Sequence, residues 1–276
     1  MTTVPAVSVL LAVHNGAPWV TEAIGSVLAQ TLRDFELIVI DDGSADATPE
    51  LISAFTDSRV RVERHARVGL TRSLNRAIAL ARAPLLARLD ADDVAMPDRL
   101  ARQHAFMRAH PDVGLLGGAA REVDTEGRLV REVTPPLDDA SLRRLLIRRN
   151  PFVHSAVMFR REVIDRVGPY DERWPVAQDY ELWMRISRVS LLANLDAVLV
   201  TRRLVSGRIT SQRDSDRLWA EARARWHAVR AGRYPWWTVV HAARPALARA
   251  LPRPLREAMR RAFVSPSPPS EPEPRR

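Results

Sequence analysis

Val7 to Val13 (VSVLLAV) is an unbroken apolar run, and a run without alternation predicts a strand buried on both faces. It stops at His14-Asn15-Gly16, a turn. Ala17 to Thr31 then places Val20, Ile24, Val27 and Leu28 at helical spacing. Phe35 to Ile40 (FELIVI) predicts a second buried strand, ending at Asp41-Asp42-Gly43-Ser44. Thr48-Pro49-Glu50 reads as a helix start, with Thr48 as the cap and proline in the first turn. Val60 to Glu63 is a short third strand. Leu70 to Arg82 is helical through Leu74, Ile78 and Leu80, and Leu85 to Leu89 is a fourth strand.

Strands alternating with helices imply right-handed crossovers and a mostly parallel, Rossmann-like sheet flanked by helices. Ligands in such α/β sheets bind outside the carboxyl ends of the strands. Three strands here end in polar or acidic residues, at His14-Asn15, Asp41-Asp42 and Asp90-Asp92, which marks that edge as a site. Further on, the pattern predicts a helix over Pro97–His110, a strand from Val113 to Gly118, and a hairpin over Glu122–Glu132 turning at Asp124–Gly127. A basic helix follows at Asp138–Arg149, then a strand at Val153–Phe159 carrying His154. A short helix at Val163–Val167 is closed by Gly168-Pro169. Gln178–Arg188 is a helix with an acidic first turn, Leu191–Thr201 a late strand, and Asp214–Ala231 a helix rich in Arg, Ala and Trp. The organisation expected is a catalytic α/β domain over 1–205, a helical basic extension over 206–264 and a disordered Pro/Ser-rich tail over 265–276.

Composition sharpens this picture at two points. There is no cysteine, which removes disulfides, thiolate metal sites and a cysteine nucleophile, and fits a reducing cytoplasm. The start of the chain lacks a signal-peptide pattern, and no run is long and apolar enough to span a bilayer. The net charge of +9 is unevenly placed. From Thr201 onward there are 17 Arg against 6 acidic residues, whereas the first 200 residues hold 25 Arg and 27 acids.

The chemistry concentrates at Leu85–Arg99 (LLARLDADDVAMPDR), where an apolar run ends in Asp90, Asp92 and Asp93. Like charges at the end of a buried strand are costly unless something positive meets them. A divalent cation holding a diphosphate would meet them, because hard metals take carboxylate and phosphate oxygens together. A solvated acidic turn is the alternative.

Taken together, VSVLLAVHNG (7–16), IGSVLAQTLRDFELIVIDDGSADAT (24–48), GLTRSLNRAIALA (69–81), LDADDVAMPDRL (89–100), NPFVHSAVMFRREV (150–163) and AQDYELWMR (177–185) resemble the inverting glycosyltransferases of family 2, which have the GT-A fold. The resemblance covers roughly the first 190 residues, in the family's own order. It implies a nucleotide-sugar donor, often a UDP-sugar, and Mn²⁺ or Mg²⁺. It also implies that Asp90-Ala91-Asp92 is the D-x-D motif holding the metal on the diphosphate, with Asp93 behind it or capping the next helix. Asp42 matches the acid that contacts the base or ribose. Ala12, His14 and Asn15 lie at the first strand end beside the nucleotide, although Asn15-Gly16 also serves as turn and cap. Arg72 stands where a basic residue could reach the diphosphate, and equally on a solvated helix face.

Asp179 matches the acid of the family's E-D motif, which implies the general base for the acceptor hydroxyl; Gln178 replaces the usual glutamate. An acidic first helical turn favoured by the dipole is the plain alternative. His154 and Trp183 are acceptor-side candidates, each equally readable as packing. The Q-x-x-R-W sequence of processive members is absent, so transfer of one sugar is expected. The acceptor class implied is a glycan or a lipid-linked molecule in cell-surface polysaccharide or glycolipid synthesis. Trp219, Trp226, Trp236 and Trp237 among arginines suggest peripheral membrane contact, against packing on the core or oligomer contacts. Beyond the basic tail, nothing points to nucleic acid. A catalytically silent nucleotide-sugar binding protein is the competing function, with Gln178 as its hint. A nucleotidyltransferase lacks its glycine-rich phosphate loop here.

Overall fold

The computed structural model describes residues 4–204, 214–232 and 234–243. The expected tail over 265–276, and residues 206–213, 233 and 244–264 of the expected basic extension, lie outside the described residues.

Strands β1 (Val7–Val13), β2 (Phe35–Asp42), β3 (Val60–His65) and β4 (Leu85–Arg88) form a parallel block in the order β3-β2-β1-β4. Alternate residues feed two different cores. In β1, Leu10 and Ala12 face one layer, while Val7, Val9, Leu11 and Val13 face the other. Both faces are covered, which is why the sequence shows continuous apolar runs. One layer contains α1 (Val20–Leu28), α2 (Thr48–Ser53) and α4 (Arg99–Ala109). The other contains α3 (Leu70–Leu80), α5 (Asp139–Leu146), α6 (Arg161–Val167) and α7 (Gln178–Ile186).

Beyond β4 the sheet becomes mixed. It continues through β8 (Met158–Arg160), antiparallel to both β4 and β6 (Val113–Val123). Then comes β9 (Leu191–Arg203), parallel to β6, and the two-residue β5 (Val94–Ala95), antiparallel to β9. Strand β7 (Leu129–Val133) pairs with β6 through the expected hairpin, whose Asp124 N–H and Arg128 carbonyl close the turn. Helix α8 (Asp214–Arg230) packs Ala224 and Ala228 into the α7 layer.

Three local expectations change. Thr48 opens α2 but does not cap it: the cap position is Ala47, and the Thr48 Oγ1 accepts from the Gly16 N–H instead (2.8 Å). The predicted strand 153–159 is a 3₁₀ turn at His154–Ala156 followed by β8 from Met158, because the chain must first pass beneath the end of β4. Asp93 does not cap α4; Asp98 holds that position, and Asp93 is fully buried elsewhere.

Candidate active site

The ends of β1 and β2 are stitched into one surface. The Asn15 N–H donates to the Ser44 Oγ, and the Asn15 Oδ1 accepts from the Ala45 N–H, both at 2.9 Å. Asn15 adopts φ 52°, a left-handed conformation that asparagine tolerates. Its side chain is thus engaged in the turn, while the cap position of α1 is Trp19 and not Asn15-Gly16. The His14 Nδ1 lies 2.9 Å from the Asp42 carbonyl, and Ala12 is buried one residue short of the strand's end. Buried Asp42 accepts the Val68 N–H on Oδ1 (2.7 Å) and the Gly69 N–H on Oδ2 (2.9 Å), fixing the loop into α3. Each oxygen keeps a second lone pair for a ligand donor. Gly43 has φ +68°, and a Cβ there would lie 2.6 Å from the Arg67 backbone nitrogen, so this close approach needs glycine. Asp41 is also buried and faces the protein, accepting the Ser44 N–H and pairing with Arg64. Arg72 is exposed and paired with Glu172 at 3.0 Å, the solvated-face reading.

At the end of β4, one oxygen from each of Asp90, Asp92 and Asp93 lies within 4.8 Å of the others. Part of the required positive charge comes from the protein itself. Arg88 is wholly buried, and its guanidinium donates to Asp90 Oδ1 and to the Leu89 carbonyl. Buried Arg99 donates to the Arg88 carbonyl (2.7 Å) and the Val157 carbonyl (3.2 Å). Burial, with Arg88 nearby, pushes its pKa down to about 9, against the pull of Asp93. The Ser155 Oγ lies 2.7 Å from Asp90 Oδ2 and 2.5 Å from Asp93 Oδ2. Asp93 also accepts the Arg203 N–H (3.0 Å), so β9 is tied to the cluster. Asp93 therefore braces the motif from behind, while Asp90 and Asp92 are half-buried at its front. An all-carboxylate oxygen set of this spacing fits Mg²⁺ or Mn²⁺.

Asp179 occupies the first turn of α7. Ala177, in front of it, is held at φ 55°, a strained conformation for alanine. The Asn150 Nδ2 donates to Asp179 Oδ2 at 2.8 Å, and the Asn150 Oδ1 accepts the Phe152 N–H (3.1 Å). Four residues on, the His154 Nε2 meets the Tyr170 hydroxyl (2.9 Å), and Ser155 holds the acid cluster. Burial and the Arg88 charge lower the His154 pKa, against the opposing charges of Asp179 and Asp90. Trp183 corrects an expectation. It is 0% exposed, with ring contacts to Phe152, His154 and Phe159, so it is core beneath the site and no wall for a ligand.

Arg88, Ser155 and Asn150 hold the site together without a motif that names them. An arginine closing an apolar strand was a usable signal for the first; the other two carry none without the fold. A cavity of about 500 Å³ lined by Arg143, Arg160 and Arg166 lies at the opposite strand ends. Arg143 and Arg160 donate there to main-chain carbonyls, so it is no rival site.

A parallel-edged α/β sheet covered by helices on both faces thus carries three carboxylates at its carboxyl edge, with a further acid tethered by the Asn150–Ser155 segment. The family described as Glycosyl transferase family 2 matches residues 8–168, and the chain belongs to that family. The O-antigen biosynthesis glycosyltransferase WbnJ of Escherichia coli is 32% identical over 183 residues, covering 65% of this chain and 71% of that protein. The amylovoran biosynthesis glycosyltransferase AmsE of Erwinia amylovora is 29% identical over 212 residues, covering 75% and 79%. Among solved structures, the mannosyltransferase PcManGT of Pyrobaculum calidifontis, in complex with GDP-Man and Mn²⁺, superposes with TM-score 0.64 at 21% identity over 95% of this chain and 80% of that one. S. aureus TarS 1–349 in complex with UDP-GlcNAc gives TM-score 0.64 at 20% identity, over 79% and 66%. These likenesses establish the GT-A architecture.

Proposed function

We propose that this glycosyltransferase moves one sugar, with inversion, from a nucleotide-sugar to an acceptor hydroxyl in the synthesis of a cell-surface polysaccharide or glycolipid, at the cytoplasmic side of the membrane. The observation that carries the reading is the Asn150–Ser155 segment, one end of which holds Asp179 and the other Asp90. In this reading the base and a diphosphate-binding acid are thereby tied to the two ends of one short segment. In this reading Asp42 and the β1 end, with Ala12, His14 and Asn15, receive the nucleotide. Asp90 and Asp92, on either side of Ala91, would hold a divalent cation, which neutralises charge on the departing diphosphate. Asn150 orients Asp179 through Oδ2, and the acceptor proton passes to Oδ1. The acceptor oxygen bonds to the anomeric carbon as the bond from that carbon to the phosphate oxygen breaks on the opposite face. One base suffices for this displacement. His154, within the Asn150–Ser155 segment and bonded to the Tyr170 hydroxyl, would line the acceptor side.

UDP-sugars are the first donors to try; GDP-sugars belong in the same screen because one structural neighbour carries GDP-Man. Turnover of at least one sugar nucleotide should require Mn²⁺ or Mg²⁺. Asp179→Asn should lower kcat by about 10²- to 10⁴-fold while nucleotide affinity, read by calorimetry, stays the same. Unchanged turnover would remove the base assignment. Metal-dependent nucleotide binding with no turnover over a broad donor and acceptor panel would establish the binding-protein alternative instead.

A further inference from the structure

Helix α8 buries one face, with Ala222, Ala224, Arg225 and Ala228, and exposes the other. The exposed face repeats aromatic and basic residues one turn apart: Trp219, Arg223, Trp226 and Arg230. Trp219 and Trp226 are 48% and 49% exposed, and beyond the helix Trp236 and Trp237 are 78% and 61% exposed. These tryptophans are therefore not packed on the core. Large amphipathic rings left in water beside arginines suit a membrane interface, where the ring meets the acyl boundary and the guanidinium meets lipid phosphate. A second copy of this chain fits poorly, because a two-fold contact would set arginine against arginine. Charge complementarity selects the occupant: the exposed face carries Arg223 and Arg230 against Asp216, and the sequence from 201 to 276 as a whole holds 17 Arg against 6 acids, while the preceding 200 residues are nearly neutral.

We propose that the exposed Trp–Arg face of α8 and the turn at Trp236–Thr238 docks on an anionic lipid bilayer. The face is coupled to the site. Arg225, on the buried side, donates to the Tyr180 hydroxyl (3.1 Å), and Tyr180 follows Asp179 in α7. Arg223 stacks on Trp174, in the loop leading into α7. If the transferase reading holds, a bilayer bound by α8 presents lipid-borne hydroxyls on the Asp179 side.

The test is co-sedimentation of the full chain with vesicles of phosphatidylcholine alone, or with about 30% phosphatidylglycerol added to supply the anionic surface. Binding should require the anionic lipid, weaken on raising the salt, and blue-shift the tryptophan emission. Replacing Trp219, Trp226, Trp236 and Trp237 by Ser should lower vesicle affinity at least tenfold. Arg230→Glu, which leaves the rings in place, should lower it at least about fivefold, as roughly 1 kcal/mol per basic residue implies. Wild type that ignores both vesicles, or variants that bind as it does, overturn the proposal. A wild-type dimer that the tryptophan variant dissociates, with no change in vesicle binding, assigns the face to a second copy instead. Donor hydrolysis without vesicles should be unchanged in these variants, so docking and catalysis fail separately.

Discussion

Ser155 has one hydroxyl proton and two carboxylate oxygens within reach, on Asp90 and on buried Asp93. Its oxygen also accepts the Asp90 N–H at 3.2 Å. Ser155→Ala removes a donor from carboxylates packed beside buried Arg88, and should destabilise the fold by about 1–3 kcal/mol, measured by urea unfolding. Mn²⁺ affinity, followed by the paramagnetic resonance of the free ion, should fall as well, because Asp90 loses a fixed partner. Asp90, Asp92 and Asp179 stand out as candidates in the sequence because their motifs are local. Ser155 does not: within VHSAVMF it reads as one polar position of an apolar strand, and its role exists only once that stretch lies beneath β4.

Element by element, β1, β2 and β4 were legible because burial on both faces leaves an unbroken apolar signature, whereas the half-exposed β3 and the two-residue β5 leave none. Glu36 is the exception inside FELIVI. Burial works against its charge, but the Ser8 hydroxyl (2.6 Å), the Arg82 N–H (2.7 Å) and the Arg82 guanidinium (2.8 Å) outweigh burial and hold its pKa below the ordinary 4.5. A depressed carboxylate stabilises the fold fully above its unfolded value, and loses that contribution as pH falls through its folded one. Glu36→Gln should therefore cost about 1–3 kcal/mol at pH 7. The gap from wild type should close as the pH drops below 4.5, in denaturation curves taken across that range. The 3₁₀ turn at His154–Ala156 was less legible, since a three-residue turn inside an apolar run has no periodicity of its own.

At the scale of the whole molecule, the sequence indicated an α/β sheet but not the strand order β4-β8-β6-β9-β5, which joins strands far apart in the chain. The fit of α8 against α7 was equally hidden. It rests on Arg225, buried and bonded to Tyr180, Glu221 and the His241 carbonyl. Arg225→Ala should loosen the helix from the body: amide exchange over 214–230 should quicken, while β1 and β2 keep their protection.

The six residues from Asn150 to Ser155 grip an acid at either end. A shift of this strap would drag both carboxylates with it, sparing neither. In the proposed transfer, alignment between the departing and the arriving halves of the reaction would then be largely mechanical, carried by one short span of backbone, with buried Arg88 as a second hold on Asp90.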